Sequence, residues 1–320
     1  MESRIEIGDP LQYAGIASEI LQTAWKPPCL HYSPEYLAWQ FGFPSEVPTL
    51  GVIAFVENRP AGCAAVTARR FSCGRETFPA LVFSFVAVAP SAAGRGIART
   101  MYASLLDALP RDVPVFAFAG PDSLGERLLL NNFSRAGFRH RTLRTCRAVG
   151  YVHRAGLTAI EGATAQETTT YEEFASMGRA SNNEDVIWTD VTPREWHHYG
   201  QDPRGRVMVT VRDADGRPLG TAMLVTAEIV SSEGVQKVPM LESVTLAEPT
   251  SHAVAALLRF AAARFQPGSV IVASNMSYID PGIIKTAGAR ALPSSFNAYA
   301  FVRGASTIVE TAAALNLEVI

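Results

Sequence analysis

At 320 residues, 48% of them hydrophobic, the chain is long enough for about two domains that each bury a core. Charged residues make up 18% and the net charge is −2, a balance that argues against a nucleic-acid binder. There is no run of about 18 apolar residues to cross a membrane. The N-terminus, Met1-Glu2-Ser3-Arg4-Ile5-Glu6, lacks the apolar core of a signal peptide, so a cytoplasmic location is expected. Cys29, Cys63, Cys73 and Cys146 lie far apart with no C-x-x-C pair; they read as free thiols, and no metal is expected.

The first predicted element is a helix over Leu11–Trp25. A short helix follows Ser33-Pro34, where serine caps and proline fits the first turn. A strand is predicted over Leu50–Glu57, a turn over Asn58–Gly62 and a second strand over Cys63–Phe71. Ala80–Val88 is almost wholly apolar, the pattern of a strand buried on both faces in mid-sheet. A glycine turn leads into a helix over Arg95–Leu109, where Ile97, Met101 and Leu105 recur every four positions. Strand Val113–Ala119, a helix ending at Gly137 and strand Phe138–Val149 complete this half.

The second half repeats the order. Arg217-Pro218-Leu219-Gly220 matches Arg59-Pro60-Ala61-Gly62, and Glu242–Pro249 matches Ser84–Pro90. A helix over Ser251–Phe265, a strand over Ser269–Ala273 and Ala287-Gly288-Ala289-Arg290 match Arg95–Leu109, Val113–Ala119 and Ala136-Gly137-Phe138-Arg139. Gly62 and Gly220 are 158 residues apart, Pro90 and Pro249 159, Gly137 and Gly288 151. Near-equal offsets across separate landmarks indicate duplication. The boundary is expected near Gly156–Gln166, where Gly, Ala and Thr cluster.

Chemistry concentrates in Val86-Ala-Val-Ala-Pro90-Ser-Ala-Ala-Gly94-Arg95-Gly96-Ile97-Ala98-Arg99. A buried strand runs through a glycine turn directly onto a helix. The first N–H groups of a helix lack internal partners and, with the helix dipole, form an anion site. Gly94 and Gly96 allow positive φ and close approach of a ligand to the backbone, and Arg95 and Arg99 add charge. A plain tight strand–helix connection is the bland alternative. The stretch lacks both the Walker lysine-serine pair and a full Gly-x-Gly-x-x-Gly fingerprint.

The same residues resemble the acetyltransferase signature of the GNAT (N-acetyltransferase) superfamily, Arg/Gln-x-x-Gly-x-Gly/Ala after a strand ending Val-x-Pro. The small positions match at Gly96 and Ala98, and the basic position is Ala93. A second landmark, aromatic-x-x-x-Gly-Phe, reads Phe133-Ser-Arg-Ala-Gly137-Phe138. The resemblance covers Leu50–Val149 and extends more weakly over Arg206–Val302 through the repeat. It implies a mixed α/β (α+β) fold of two tandem GNAT domains: residues 1–155 binding acyl-CoA, residues 166–305 without the pyrophosphate loop, and a tail over 306–320. It further implies acetyl-CoA or another acyl-CoA as donor, with its pyrophosphate on Gly94, Arg95, Gly96, Ile97, Ala98 and Arg99. Its pantetheine arm would pair with the backbone of Val86 and Val88. The expected acceptor is an amine on a small molecule, acylated by direct transfer. A non-catalytic acyl-CoA sensor or scaffold, or a transferase using longer acyl-CoA or acyl-carrier-protein donors, are the alternatives.

Catalytic candidates are sparse. The family commonly places a tyrosine where this chain has Phe133, and a carboxylate where it has Ser84 and Phe85. Ser84 and its repeat partner Glu242 are the two weak candidates, Glu242 with a buried, paired carboxylate as the blander reading. Tyr32, Trp39 and Glu242 are candidates for the acceptor site. Core packing is the blander reading of the two aromatics, and a solvated helix face that of His197-His198.

Overall fold

A computed structural model describes residues 3–143, 145–153, 162–180, 186–274, 276, 278–304, 312 and 314–316. In the first half the chain forms β1 (Ser3–Gly8), α1 (Ala14–Ala24), β2 (Cys29–Leu30), α2 (Pro34–Phe41), β3 (Leu50–Val56), β4 (Arg59–Cys73) and β5 (Glu76–Val88). It continues with α3 (Ile97–Ala108), β6 (Val115–Ala119), α4 (Leu124–Arg135), β7 (Arg139–Thr142) and β8 (Cys146–Val152). The second half gives β9 (Ala163–Glu167), α5 (Tyr171–Ala180), β10 (Val186–Thr189), α6 (Pro193–Tyr199), β11 (Val207–Asp213), β12 (Pro218–Ser231) and β13 (Gly234–Leu246). It closes with α7 (Ser251–Ala262), β14 (Val270–Ala273), α8 (Pro281–Thr286), β15 (Arg290–Val302) and β16 (Ala314–Asn316). Element for element the second half repeats the first, β15 standing for β7 and β8 together.

Local chemistry explains the elements. Ser33 Oγ caps α2 by accepting from Tyr36 N at 3.2 Å. Thr192 and Glu195 form a reciprocal capping box on α6, with proline at the first position of both helices. The β3–β4 turn is tighter than predicted. Glu57 and Asn58 take φ of 51° and 61°, a two-residue hairpin turn, so Arg59–Gly62 belong to β4. The strand predicted over Phe138–Val149 is two strands. The edge strand β1 was not foreseen, and the proposed boundary falls largely outside the described residues.

The sheet is continuous and mixed, in the order β1-β3-β4-β5-β6-β15-β8-β14-β13-β12-β11-β9. The two halves meet in its middle by exchanging strands. Asn297–Phe301 of β15 pairs antiparallel with β6, while Val149–Val152 of β8 pairs antiparallel with β14. A second exchange is equally reciprocal. Cys29 and Leu30 pair with Val230 and Ile229 of β12, and Trp188 and Thr189 pair with Ser72 and Phe71 of β4. At the centre Trp39 and His198, 159 residues apart, stack at 5.2 Å with 10° between rings. Trp39 Nε1 donates to the His198 carbonyl and His198 Nε2 to the Trp39 carbonyl, each at 2.9 Å. A pseudo-twofold axis therefore runs between these rings. His198 is half-buried in this contact, and His197 alone faces solvent.

In the first half α3 and α4 cover one face, burying Leu81, Phe83, Met101, Leu105 and Phe133. The opposite face, under α1 and α2, carries Phe85, Ala65, Tyr32 and Trp39, and its core continues into Tyr199, Met208 and Met223 of the second half. Because each half's last strand sits in the other's sheet, residues 1–155 expressed alone should show no cooperative melt. Co-expression with residues 156–320 should restore one. Independent cooperative melting of the fragment, followed by circular dichroism, would show that the exchange is dispensable.

Candidate functional site

The middle of β5 carries a bulge. Ala65 lies opposite Ser84 and Cys63 opposite Ala87, so Phe85 and Val86 face one residue of β4. Phe85 takes φ of 56° to make it. The bulge turns β5 away from β6, and the parallel pairing of the two runs only over Leu81–Phe83 with Val115–Ala117. Beyond that point the strands splay. Ala87 and Ala89 still turn their backbone to β4, Ala89 N donating to Ala61 O at 2.8 Å. By alternation Val86 and Val88 turn theirs into the splay. Ser84, Val86, Val88, Phe118 and Gly120 along this groove are half-buried.

The groove opens at the start of α3. Pro90–Ala92 make one 3-10 turn, after which Ala93, Gly94, Arg95 and Gly96 are exposed. Gly94 and Gly96 both have φ of 76°, and a Cβ at either would meet no atom within 4 Å. The left-handed backbone selects glycine, and the open side admits a ligand. Gly96 caps α3 with no side-chain bond, and Thr100 N to Gly96 O, at 3.1 Å, opens the helix. The amides of Ile97, Ala98 and Arg99 precede that bond, at the positive end of the helix dipole. The sequence-predicted donor residues thus form one continuous surface, the edge of β5 leading to the start of α3.

The second half keeps the bulge and closes the groove. Ser243, 158 residues after Phe85, has φ of 48°, and β13 pairs with β14 only through Met240 and Leu241. Val244 and Leu246 stand where Val86 and Val88 stand. Here Tyr278 Oη donates to Val244 O at 2.9 Å and accepts from Leu246 N at 3.1 Å. Burial raises the pKa of this hydroxyl and keeps it able to donate. Thr250 caps α7 with its own side chain, accepting from Ala253 N at 3.2 Å. One tyrosine and one threonine occupy the polar groups that lie open in the first half. Tyr278 sits in a loop and carried no sequence signal.

Glu242, the repeat partner of Ser84, is fully buried in an ion cluster. Its oxygens lie 3.2 Å from Arg204 Nη1 and 3.2 Å from Arg206 Nη1, and Asp202 bridges the same arginines at 3.0 and 2.8 Å. Burial would raise the Asp202 carboxyl, but Arg206 and Arg204 outweigh it and hold it below the ordinary range. Arg204 lies over the Tyr36 ring at 4.3 Å and Arg206 over Trp39 at 5.3 Å, so the cluster grips α2 of the other half. Tyr32 and Trp39 are buried in this packing rather than lining a rim, Tyr32 edge-on to Phe85 at 5.4 Å. Ser84 Oγ and Thr67 Oγ1, on the same face of β5 and β4, are buried with no partner among the described residues. Phe133 is buried against Phe83, Phe138 and Phe301.

One further group reaches the groove mouth from the second half. Glu126, in the first turn of α4, accepts from Tyr299 Oη, from Asn297 Nδ2 at 2.7 Å and from Asp122 N at 2.7 Å. These bonds lower the Glu126 carboxyl. Burial, then the bond to Glu126, pushes Tyr299 up to about 12. The partners are 173 residues apart, beyond any local pattern.

Comparison with known proteins bears on the fold and the family. Residues 16–118 match the model of the Acetyltransferase (GNAT) family. Among solved structures, a GCN5-related N-acetyltransferase from Anabaena variabilis matches with a TM-score of 0.59 at 15% identity, over 97% of this chain and 75% of that one. N-myristoyltransferase of Saccharomyces cerevisiae, solved with bound myristoyl-CoA, matches with a TM-score of 0.61 at 10% identity, over 100% and 86%. At these identities the likeness is one of fold. No curated protein matches the sequence. The match over residues 16–118 gives the class, an acyltransferase of the acyl-CoA-dependent GNAT type. Residues 16–118 thus carry a GNAT acetyltransferase domain, and the chain as a whole has the fold of tandem GNAT-type N-acyltransferases. Among the described residues no helix is long and apolar enough to cross a membrane.

Two variants separate the closed groove from the open one. Tyr278→Phe leaves Val244 O and Leu246 N without their partner and should cost about 1–3 kcal/mol in denaturant unfolding. Glu242→Ala strands two buried arginines and should cost about 3–5 kcal/mol. Tyr278→Phe should leave acyl-CoA affinity unchanged by calorimetry; loss of affinity in that variant would place the donor in the second half.

Proposed function

We propose that the protein is an N-acetyltransferase whose first half, residues 1–155, seats acetyl-CoA and whose second half, residues 166–305, helps to form the acceptor site. The tail, 306–320, belongs to neither role. The observation that carries this reading is the contrast between equivalent atoms: the β5 edge at Val86 and Val88 opens into the splay, while that at Val244 and Leu246 is bound by Tyr278. Pantetheine amides pair with Val86 and Val88 as an added strand would. The pyrophosphate sits on the amides of Gly94–Arg99, with Arg95 and Arg99 as counter-charges.

The acceptor is a small-molecule amine. The ammonium first gives one proton to water and the free amine attacks the thioester carbonyl directly: a C–N bond forms, the C–S bond breaks, and the second N–H proton passes through water to the departing thiolate. In this reading Ser84, at the apex of the splay with its hydroxyl unpartnered among the described residues, hydrogen-bonds the incoming amine. Glu242 is engaged with two arginines and acts by holding α2, hence Tyr32, Tyr36 and Trp39, against the first half. Among the described residues the four cysteines form no disulfide, in keeping with the cytoplasm. A non-catalytic acyl-CoA sensor is the reading favoured by Phe133, which has no proton to give. Release of free thiol with an amine panel separates the two, since a sensor leaves the thioester intact.

Acetyl-CoA at 100 times its dissociation constant should stabilise the protein by about 2.7 kcal/mol, read as a rise in Tm. Gly96→Glu, which puts bulk and negative charge on the anion site, should abolish that rise. Titration should give one donor per chain. Two per chain, or an undiminished Tm rise in Gly96→Glu, would overturn the assignment.

A further inference from the structure

This inference rests on the donor reading above and concerns the acyl group at the end of the groove. At the floor β5 and β6 join through Phe83 and Ala117, so a chain entering from the α3 end cannot continue between the strands. The α3 side is closed. Phe83 packs on Tyr102 at 4.9 Å and on Phe133 at 5.4 Å, and Phe133 on Phe301 at 3.9 Å, all of them buried. The opposite side carries the half-buried Ser84 and Phe118, and the acyl group must leave there.

Phe85 blocks the way beyond them. Positive φ is unusual for a large side chain and persists only where the surroundings fix it. The ring is 3% exposed and held edge-on by Tyr32 at 5.4 Å and by Phe41 at 5.5 Å. Behind it remains a cleft of about 10 Å³, bordered by Tyr13, Ala17, Phe41, Cys63 and Ala65. That is room for about one water molecule and none for an alkyl chain. We propose that Phe85, braced by Tyr32 and Phe41, sets the length of the donor's acyl group and confines it to short chains, acetyl to butyryl.

Each methylene buried in an apolar pocket raises affinity about fourfold. A site open to long chains would therefore favour octanoyl- over acetyl-CoA by about three and a half orders of magnitude. Here any gain should end at butyryl, and the affinity should not rise from butyryl to octanoyl. The test is calorimetric titration of the full chain with CoA, acetyl-, butyryl- and octanoyl-CoA, repeated on Phe85→Ala and Phe41→Leu. Either variant should raise the octanoyl-to-acetyl affinity ratio at least tenfold. A fourfold gain per methylene from butyryl to octanoyl in the unaltered protein overturns the proposal, whether or not the variants fold. So does an unmoved ratio in variants that melt cooperatively. If neither CoA nor acetyl-CoA binds, the donor reading of the first half fails and takes this one with it. If acetyl-CoA binds and the ratio stays put, chain-length control alone falls.

Discussion

The bulge at Phe85 is the constraint on which the open groove, and with it the proposed donor site, depends. A regular β5 would pair with β6 along its whole length, and Val86 and Val88 would spend their amides and carbonyls on that ladder. One extra residue with positive φ parts the strands after Phe83. It also aims the exit of β5 at the glycine turn, so the open edge and the start of α3 form one track. The same bend turns Phe85 itself onto the opposite face, among Tyr32 and Phe41. Groove, anion site and aromatic wall thus follow from one local distortion.

The second half shows what that distortion costs when no ligand is expected. Ser243 repeats the bulge, and the backbone groups it frees must still be satisfied, because buried unpaired amides and carbonyls are destabilising by about 1–3 kcal/mol each. Tyr278 meets Val244 O and Leu246 N, and Thr250 caps the helix. The first half has Gly120 in the corresponding loop and Gly96 at the corresponding cap. Duplication left two copies of one geometry, and side chains of ordinary size filled only one of them.

Much of the fold was legible because its determinants are local or periodic. The repeat follows from turn residues at offsets of 158 and 159, and the helices after β5 and β13 from their apolar spacing. The candidate donor residues stood out because glycine, arginine and helix start fall together in one stretch. What was not legible is long-range. Pairing of β15 with β6 and of β8 with β14 leaves no trace in either strand's own pattern, since a strand's periodicity reports which face is buried and not which neighbour it has. β1 escaped because an edge strand alternating Arg4, Ile5, Glu6 and Ile7 looks like loop at that length. The stacking of Trp39 on His198 had a signal: aligning Pro34 with Pro193 sets these rings at equivalent positions, and residues on a pseudo-twofold axis meet their own counterparts.

That axis also explains why the half with the closed groove is not a removable attachment. β15 supplies the far neighbour of β6, and its Tyr299 and Asn297 hold Glu126 at the start of α4, beside the groove mouth. Arg204 and Arg206, neutralised by Asp202 and Glu242, press on Tyr36 and Trp39, and Tyr36 stacks with the Tyr32 that braces Phe85. A buried cluster of four charges gives little net stability over an apolar core of the same volume. Its geometry is directional, however, and a guanidinium fixed by two carboxylates holds an aromatic ring in one place as an aliphatic side chain does not. The position of α2, and through it the wall behind the bulge, is therefore set from the second half.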